Sequence, residues 1–230
     1  MKIFAFIFAR GDSKQLRNKN ILNFYDKPLI AHSILLAKKI KLIDKVYVST
    51  DNKKIEEISI KYGANIIKRP KKLARDNSAE WDAWQHAIET LNKKHIFFDI
   101  FVSLPATSPL RIKSDIIKCI KAFNKKIDLV ATYQTTSRNP WFNMVQLDKK
   151  SNMKPINKSI KKIYRRQDAP KVFDMSTVCY VSTPNYILNN NYLFDGKIKG
   201  VEIPNSRAMD IDSRLDFDIA LEIYKKRKSK

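Results

Sequence analysis

The chain has 230 residues, and its 45 lysines and arginines against 23 acidic residues give a net charge of +22. Hydrophobic residues make up 43% and charged residues 30% of the chain, a balance that excludes an intrinsically disordered protein and predicts a single globular domain. The sequence holds no apolar run of the roughly 20 residues that a membrane span requires, so we expect no membrane partner.

The positive charge has two interpretations. A basic protein can bind nucleic acid through its phosphates. Here lysine outnumbers arginine by 34 to 11 and is spread over most predicted helices, with no basic stretch interleaved with aromatic residues. We therefore prefer a lysine-rich surface without a nucleic-acid partner, which would still attract anionic substrates.

Two further features bear on where the protein works. Cys119 and Cys179 make neither a disulfide framework nor a metal-binding set, and both fall at positions predicted to be core. The apolar run 2–8 leads directly into Arg10 without a small-residue cleavage site, so it is interpreted as a buried strand and not as a signal segment. These features predict a cytoplasmic protein.

Hydrophobic periodicity predicts strands that alternate with helices. The further predicted strands are 45–49, 64–67, 100–104, 129–133, one that contains Cys179, and 199–203. The predicted helices are about 30–41, one that ends near 62, 81–92, 115–124 and 213–225. Thr50 and Asp51 are expected to cap the second helix and Gly63 to end it. The alternation predicts a mainly parallel sheet with helices on both faces.

A basic loop follows the first strand. Residues 9–20 carry four cationic side chains: Arg10, Lys14, Arg17 and Lys19. Open α/β sheets bind ligands at the carboxyl ends of their strands, and several arginines and lysines together suit a polyphosphate. The loop has one glycine and no GK[ST] ending, so it is not a Walker loop. A solvated basic loop is the alternative that this spacing leaves open.

Two other loops offer polar side chains after predicted strands. In the loop 69–80, Asn77 and Ser78 either belong to a site or cap the helix that follows. In the loop 105–111, prolines hold the backbone rigid while polar side chains supply hydrogen-bond donors. Those donors are Thr107, Ser108 and Arg111.

An Asp-x-Asp sequence lies near the carboxyl end of the chain. An extended segment places Asp210 and Asp212 on the same side. Two hard oxygen ligands that leave positions open for water and phosphate suit Mg²⁺. Helix capping is the alternative, and it fits Asp216 better than the other two.

Five segments in order resemble the motifs of the acylneuraminate cytidylyltransferases, the CMP-sialic acid synthetase family. They are Ala9-Arg10-Gly11-x-Ser13-Lys14 with Lys19-Asn20, Arg69-Pro70-x-x-Leu73-Ala74-x-Asp76, Leu104-Pro105-Ala106-Thr107-Ser108-Pro109-Leu110-Arg111, Arg165-Arg166-Gln167-Asp168 and Asp210-Ile211-Asp212. The resemblance implies a three-layer α/β/α Rossmann-like nucleotidyltransferase with a mainly parallel mixed sheet. It also implies direct in-line attack of a nine-carbon 2-keto sugar acid on CTP, which gives a CMP-sugar and pyrophosphate.

The resemblance also implies residue roles. Catalytic roles fall on Lys19, Arg10 and Asp212, with Lys19 expected to stabilise charge on the phosphorus. CTP binding falls on Ala9, Arg10, Gly11, Ser13, Lys14, Lys19, Asn20, Arg69, Asp76 and Ser78. Sugar binding falls on Thr107, Ser108, Arg111, Arg165, Arg166 and Gln167. Metal binding falls on Asp210 and Asp212, with Mg²⁺ as the expected cofactor and Mn²⁺ as the alternative.

The resemblance further implies that residues of about 134–180 project from the single domain 1–230, form a homodimer and cover the partner's sugar site. The chain departs from the family motifs at Glu80, where Ser or Thr is usual, and at Pro105, where glutamine is usual. Residues 174–177 also differ, so we expect an altered sugar pocket, and sialic, legionaminic and pseudaminic acids all stay open. The alternatives are a CMP-KDO synthetase or other sugar nucleotidyltransferase, a basic nucleic-acid-binding α/β protein, and a non-catalytic relative.

Overall fold

A seven-stranded sheet forms the centre of the protein in the computed structural model, which describes residues 1–11, 15–158 and 162–229. The strands are β1 Ile3–Phe8, β2 Asn23–Phe24, β3 Lys27–Pro28, β4 Lys45–Thr50, β5 Asn65–Lys68, β6 Ile100–Ser103, β7 Leu129–Thr135, β8 Val145–Leu147, β9 Met153–Pro155, β10 Phe173–Ser182 and β11 Ile198–Glu202. The α-helices are α1 Leu29–Lys38, α2 Lys53–Lys61, α3 Glu80–Asn92, α4 Lys113–Ala122, α5 Pro184–Asn189 and α6 Arg214–Lys228.

The large sheet is mixed, with the strand order β11-β7-β10-β6-β1-β4-β5. Strand β1 pairs in parallel with β4 and β6, and β4–β5 and β7–β11 are also parallel pairs. Strand β10 runs antiparallel between β6 and β7. The carboxyl ends of β1, β4, β5 and β6 therefore lie at one edge of the sheet, where the loops that follow them meet.

Each face of the sheet carries its own hydrophobic core. Ile3, Ala5 and Ile7 of β1 point to the face on which α1, α2 and α4 pack, whereas Phe4 and Phe6 point to the face of α3 and α5. Strand β1 is apolar at both sets of positions because it is covered on both faces. The two cores make three layers, which confirms the α/β/α fold that the resemblance implied.

The two ends of α2 show which residues control it. The side chain of Asn52 accepts hydrogen bonds from two backbone N–H groups of the first turn, at 2.9 and 3.2 Å. The expected capping by Thr50 and Asp51 is therefore wrong by one or two positions. Thr50, Asp51 and Asn52 can all cap a helix, so residue type alone does not show where the helix begins. Gly63 follows the last turn with a φ of 83°, so its predicted role at the end of the helix is confirmed.

The starts of α3 and α6 differ from each other. Helix α3 is preceded by Ala79 and has no side-chain cap, so the capping alternative for Asn77 and Ser78 is wrong. Helix α6 begins with a reciprocal pair: the Ser213 hydroxyl accepts from the backbone N–H of Asp216 at 3.2 Å, and the Asp216 carboxylate accepts from the backbone N–H of Ser213 at 2.7 Å. The capping role expected for Asp216 is confirmed.

Several short elements were not predicted, namely α5 and the strand pairs β2–β3 and β8–β9. Each has too few residues for a hydrophobic period to show in the sequence. Cys119 and Cys179 are free thiols buried in the first core, as expected. Among the residues that the structure describes, no helix is long and apolar enough to cross a membrane.

The segment between β7 and β10 leaves the sheet. In it, β8 and β9 pair only with each other. Residues 173–180, in contrast, belong to β10 and lie within the sheet. We call the described residues between β7 and β10, 136–158 and 162–172, the projecting segment; the expected range 134–180 also includes the end of β7 and most of β10.

Candidate active site

An open cleft lies at the edge of the sheet where β1, β5 and β6 end, with a volume of about 320 Å³. It is bordered by the loops after these strands, the start of α3, β10 and the Asp-x-Asp segment. The predicted site residues that line it are Arg10, Lys19, Asn20, Arg69, Asp76, Ser78, Thr107 and Asp210. Ser13 and Lys14 lie outside the described residues.

Arg10 joins two walls of the cleft. Its Nη1 lies 2.8 Å from Oδ1 of Asp76, and the two side chains are 35% and 40% exposed. The Nδ2 of Asn20 donates to the carbonyl oxygen of Arg10 at 3.1 Å, so the short 3₁₀ turn Lys19–Ile21 fixes the backbone of the first loop. The pair holds a guanidinium at the cleft, where the phosphate of a ligand would compete with the carboxylate.

The other side of the first loop is fixed against β4 and α2. The backbone N–H of Ala9 donates to the carbonyl of Ser49 at 3.1 Å, and that of Gly11 donates to Oδ1 of Asp51 at 3.0 Å. A Cβ at position 11 would lie 2.6 Å from Nδ2 and 2.9 Å from Cβ of Asn52. Glycine is required here because the loop passes this close to the cap of α2.

Lys19 links the first loop to the Asp-x-Asp segment. Its Nζ donates to the carbonyl oxygen of Ile211 at 2.6 Å and to Oδ1 of Asp212 at 3.1 Å. The backbone N–H of Ile211 in turn donates to the carbonyl of Thr107 at 2.9 Å, which ties the segment to the loop after β6. The Lys19 side chain is only 12% exposed, so the ammonium occupies a fixed position beside the carboxylates.

Asp210 is the more buried of the two carboxylates. Burial raises the pKa of its carboxyl and Asp212 adds to the rise, while the hydroxyls of Thr107 and Thr177 and the ammonium of Lys19 oppose it. Its Oδ1 is buried and has no hydrogen-bond partner among the described residues. A buried oxygen without a partner destabilises the unliganded fold, and a cation or donor from a ligand would satisfy it.

The donor set of the cleft suits a magnesium ion that also binds phosphate. In the described part of the chain, no group of three or more His, Cys, Asp or Glu side chains could hold a metal by itself. Asp210 lines the cleft and Asp212 follows it on the same segment, and a Mg²⁺ ion bound to substrate phosphates needs only one or two carboxylates from the protein. The residues present therefore fit such an ion.

Arg69 is buried beside the cleft with donors to spare. It is 9% exposed, and its Nε and one Nη have no hydrogen-bond partner among the described residues. Burial lowers the pKa of the guanidinium, whereas Asp51 and Glu80 favour its charged form and Arg10 disfavours it. A buried guanidinium with unpaired donors is suited to a polar ligand. Ser78, on the same loop, donates to the carbonyl of Lys72 at 2.8 Å.

Glu80 lines the cleft although it was not among the predicted site residues. It is the first residue of α3, and its Oε1 accepts from Nε1 of Trp84 at 3.2 Å. The residue is accessible from the open cleft, but the surrounding protein desolvates its carboxyl and raises the pKa. Trp84 and Arg69 oppose this rise and Asp210 adds to it. The only signal in the sequence was the departure from the family motif.

The loop after β6 turns only part of its polar side chains to the cleft. Thr107, an expected sugar contact, lines the cleft. Ser108 is fully buried, and its Oγ lies 2.9 Å from Oγ1 of Thr177. The expected contact of Ser108 with the sugar is therefore replaced by a contact between this loop and β10.

Arg111 is also directed inward. It is 3% exposed, donates to the carbonyl of Val178 at 2.7 Å, and also donates to the hydroxyl of Ser33 and the carbonyl of Pro105. Burial lowers the pKa of its guanidinium to about 10. Its expected sugar contact is corrected to a positioning role, because the side chain holds the loop that borders the cleft.

Residues 165–167 lie on the projecting segment and do not line the cleft of their own chain. Arg165 forms two hydrogen bonds with Asp168, at 2.9 and 3.0 Å, and Arg166 donates to the carbonyl of Thr136. All three predicted sugar-binding residues, Arg165, Arg166 and Gln167, are exposed. The structure therefore separates them from the other predicted site residues.

Thr177 is a further cleft residue that the sequence analysis did not select. The pairing of β10 with β7 shifts register between Ser176 and Tyr180, so Thr177 lies in an irregular part of the strand. The irregularity turns this side chain toward the cleft and toward Ser108. The altered motif at 174–177 was the one sequence signal for it.

The chain belongs to the cytidylyltransferase family, whose family model, described as cytidylyltransferase, matches residues 4–229. It is therefore a nucleotidyltransferase, as the resemblance implied. This agrees with a cleft lined by arginine and lysine side chains and by the carboxylates of Asp76, Glu80 and Asp210.

Individual relatives are similar along nearly their whole length. The chain is 36% identical over 224 residues to CMP-N,N'-diacetyllegionaminic acid synthase of Campylobacter jejuni subsp. jejuni, covering 95% of this chain and 93% of that protein. It is 35% identical over 232 residues to post-translational flagellin modification protein B of Campylobacter coli, covering 98% and 96%. The fold is similar to that of CMP:2-keto-3-deoxy-manno-octonic acid synthetase complexed with CTP, with a TM-score of 0.74, 16% identity, and 99% and 100% coverage.

Proposed function

We propose that the protein transfers CMP from CTP to a nine-carbon 2-keto sugar acid, giving a CMP-sugar and pyrophosphate. The observation that carries the proposal is the contact of Lys19 with the Asp-x-Asp segment. Its Nζ lies 3.1 Å from Oδ1 of Asp212, and the buried Oδ1 of Asp210 has no hydrogen-bond partner among the described residues. In a cytidylyltransferase, this combination suits the triphosphate of CTP. The similarity to a synthase named for a CMP-activated legionaminic acid supports a sugar acid of this class as the acceptor.

The reaction is a direct in-line attack of the anomeric hydroxyl on the α-phosphorus. In such phosphoryl transfers, catalysis consists of positioning and of neutralising the charge that develops on phosphate oxygens. Lys19 is assigned to that charge because its ammonium is held in place by two hydrogen bonds. Arg10 is assigned to the phosphates, where it would exchange Asp76 for phosphate oxygens.

The remaining nucleotide contacts are assigned to the loops that border the cleft. Two donors of Arg69 have no partner in the described part of the chain, which supports a contact with CTP. The other proposed contacts are Ala9, Gly11, Ser13, Lys14, Asn20, Asp76 and Ser78. The backbone of the first loop supplies part of this set, because its close approach to Asn52 fixes where the peptide groups lie.

Asp210 and Asp212 are proposed to hold Mg²⁺, with Mn²⁺ as the alternative. When bound, the ion neutralises phosphate oxygens. The unpaired oxygen of Asp210 and the exposed carboxylate of Asp212 support this assignment. If Asp212 bound the ion, Lys19 would still have its hydrogen bond to the carbonyl of Ile211.

We propose a homodimer in which the projecting segment reaches the partner's cleft. Exposed apolar side chains on this segment and at the start of β10 support an interface, and they are Leu147, Met153, Tyr164, Phe173 and Met175. The exposed Arg165, Arg166 and Gln167 would then bind the sugar acid in the partner's site, since they do not line their own. A guanidinium suits the carboxylate of such an acid.

A cytoplasmic location is also proposed. Both cysteines are free and buried, which suits a reducing compartment.

The test is pyrophosphate release with CTP and Mg²⁺ across a panel of nonulosonic acids and KDO. We expect release with at least one nine-carbon acid and none in the Lys19→Ala and Asp212→Ala variants. The KDO arm separates the proposed acceptor from an eight-carbon one. CTP binding without release from any acid would favour a non-catalytic relative, and the absence of both would contradict the proposal.

A further inference from the structure

Glu80 occupies a defined side of the cleft. Its Oε1 accepts from the indole of Trp84. The Trp84 ring packs on Phe101 of β6 and Tyr180 of β10, with ring centroids 5.2 and 5.4 Å apart. The basic loop follows β1, on the other side of β6 from β10. Glu80 therefore lies in the part of the cleft next to β6 and β10, although Trp84 also packs on Phe8 of β1, with ring centroids 6.3 Å apart.

The start of α3 is held firmly, so Glu80 is a rigid feature. Nε1 of Trp81 donates to the carbonyl of Asn190 at 2.7 Å, and Gln85 donates to the carbonyls of Asn190 and Ile187, both at 3.0 Å. These bonds tie the first two turns of α3 to the end of α5. A side chain on such a support can discriminate between ligands, because it does not retreat from a poor contact.

The second carboxylate oxygen of Glu80 remains available. Among the described residues it has no hydrogen-bond partner, and no cation lies within ion-pair distance of either oxygen. Arg69 favours the charged form from a distance. An acceptor of this kind binds an N–H or O–H group strongly and repels an anionic group.

We propose that Glu80 is a specificity-determining residue, whose free oxygen accepts a hydrogen bond from an N–H or O–H group of the acceptor sugar acid. The inference rests on the proposed function, since the ligand on this side of the cleft is taken to be the acid. It narrows the substrate class: the acid presents an amide N–H or a hydroxyl to α3, and its own carboxylate faces away from Glu80.

The first test is Glu80→Gln, which keeps an acceptor for Trp84 but removes the charge and replaces one oxygen by an amino group. We expect the KM for the sugar acid to rise about 10- to 100-fold, the usual effect of losing a charged hydrogen bond. The KM for CTP and the Tm should stay unchanged. Glu89→Gln is the matched control, because Glu89 is an exposed residue of the same helix outside the cleft.

A second test identifies the donor with acids that each lack one N–H or O–H group. With the wild-type enzyme, the analogue that lacks the proposed donor should lose about 10-fold or more in kcat/KM. With Glu80→Gln, the same analogue should lose little further, because the two changes remove one shared interaction. If the variant is destabilised, Glu80→Asp, which withdraws the carboxylate by one methylene, should give the same rise in KM.

The inference is overturned if these variants leave the KM for the acid unchanged, raise the KM for CTP instead, or lower only kcat. It is also overturned if no analogue shows coupling to Glu80. Failure of the proposed function is distinguishable, because the wild-type protein itself would then release no pyrophosphate with any acid.

Discussion

At the scale of single residues, the positions of Lys19 and Asp210 suit the binding of a ligand better than they suit the stability of the unliganded fold. Lys19 is held by a carbonyl and a carboxylate, and Asp210 leaves one buried oxygen unpaired. Buried polar groups without a partner and closely placed charges concentrate at functional sites. Substitution of either residue should therefore lower turnover, and substitution of Asp210 should also raise the stability of the metal-free protein.

Lys19→Gln should lower kcat/KM about 100- to 1000-fold, because it removes the ammonium that stabilises the negative charge developing on the phosphate oxygens. Lys41→Gln is the control: Lys41 is exposed and outside the cleft, so turnover should not change. Steady-state pyrophosphate release measures both. Equal activity of the two variants would show that Lys19 has no role in the reaction.

Asp210→Asn should raise the Tm of the metal-free protein at neutral pH while it abolishes turnover. Burial raises the pKa of the Asp210 carboxyl in the folded state above the ordinary 3.8. The folded protein therefore binds the carboxyl proton more tightly than the unfolded chain does. The wild type loses stability as the pH rises from the unfolded-state pKa through the folded-state pKa. The Tm gain of the variant should therefore grow between about pH 4 and neutrality. Calorimetry without divalent metal checks this, and a gain that shrinks with rising pH would contradict it.

The residue types in the sequence indicated which loops border the cleft better than they indicated which side chains face it. Arg10, Lys19 and Asp210, which the sequence selected from a loop after a strand or from a short acidic motif, line one cleft. Ser108 and Arg111 have the same polar character but face inward. A donor in a loop carries no sign of its direction until the carbonyls around it are placed, and those of Val178 and Pro105 decide it for Arg111.

At the scale of elements, the first loop and α2 depend on each other. Asn52 caps α2 and also lies against Gly11. Asn52→Ala should lower the free energy of unfolding by about 1 kcal/mol, since it leaves two N–H groups of the first turn without their acceptor. Chemical denaturation measures the loss.

The matched control for Asn52→Ala is Asn77→Ala, at an exposed position where the sequence also allowed a cap but α3 has none. We expect its free energy of unfolding to stay within about 0.5 kcal/mol of the wild type. Equal losses at the two positions would show that the measured effect is not capping.

Elements with a clear period could be read from the sequence, while their order in the sheet could not. Strand β1 and helices α3 and α6 lie within a few residues of their predicted bounds. The antiparallel insertion of β10 between β6 and β7 depends on contacts far apart in the sequence. Its irregularity also brought Thr177 to the cleft, which no hydrophobic period indicates.

At the scale of the whole molecule, the proposed dimer makes a site from two chains. A protomer with Lys19→Gln and a protomer with Arg166→Gln should each form a homodimer of low activity. Mixed dimers contain one complete site, built from the cleft of the Arg166→Gln chain and the projecting segment of the Lys19→Gln chain. Random mixing should restore about a quarter of wild-type activity, as expected for a two-fold symmetric dimer.

The control for this experiment is two preparations of the same variant, mixed and exchanged in the same way. Their activity should not rise. An absence of recovery in the mixed sample, with exchange of subunits confirmed by mass spectrometry, would contradict a shared site.

The most direct test of the account is to follow the α-phosphorus of CTP. CTP labelled with ³²P at the α position is incubated with the protein, Mg²⁺ and the nonulosonic acids. We expect the label to move into a CMP-sugar in equal amount to the pyrophosphate released. Label that stays in CTP, or appears only as free CMP, would contradict the proposed transfer.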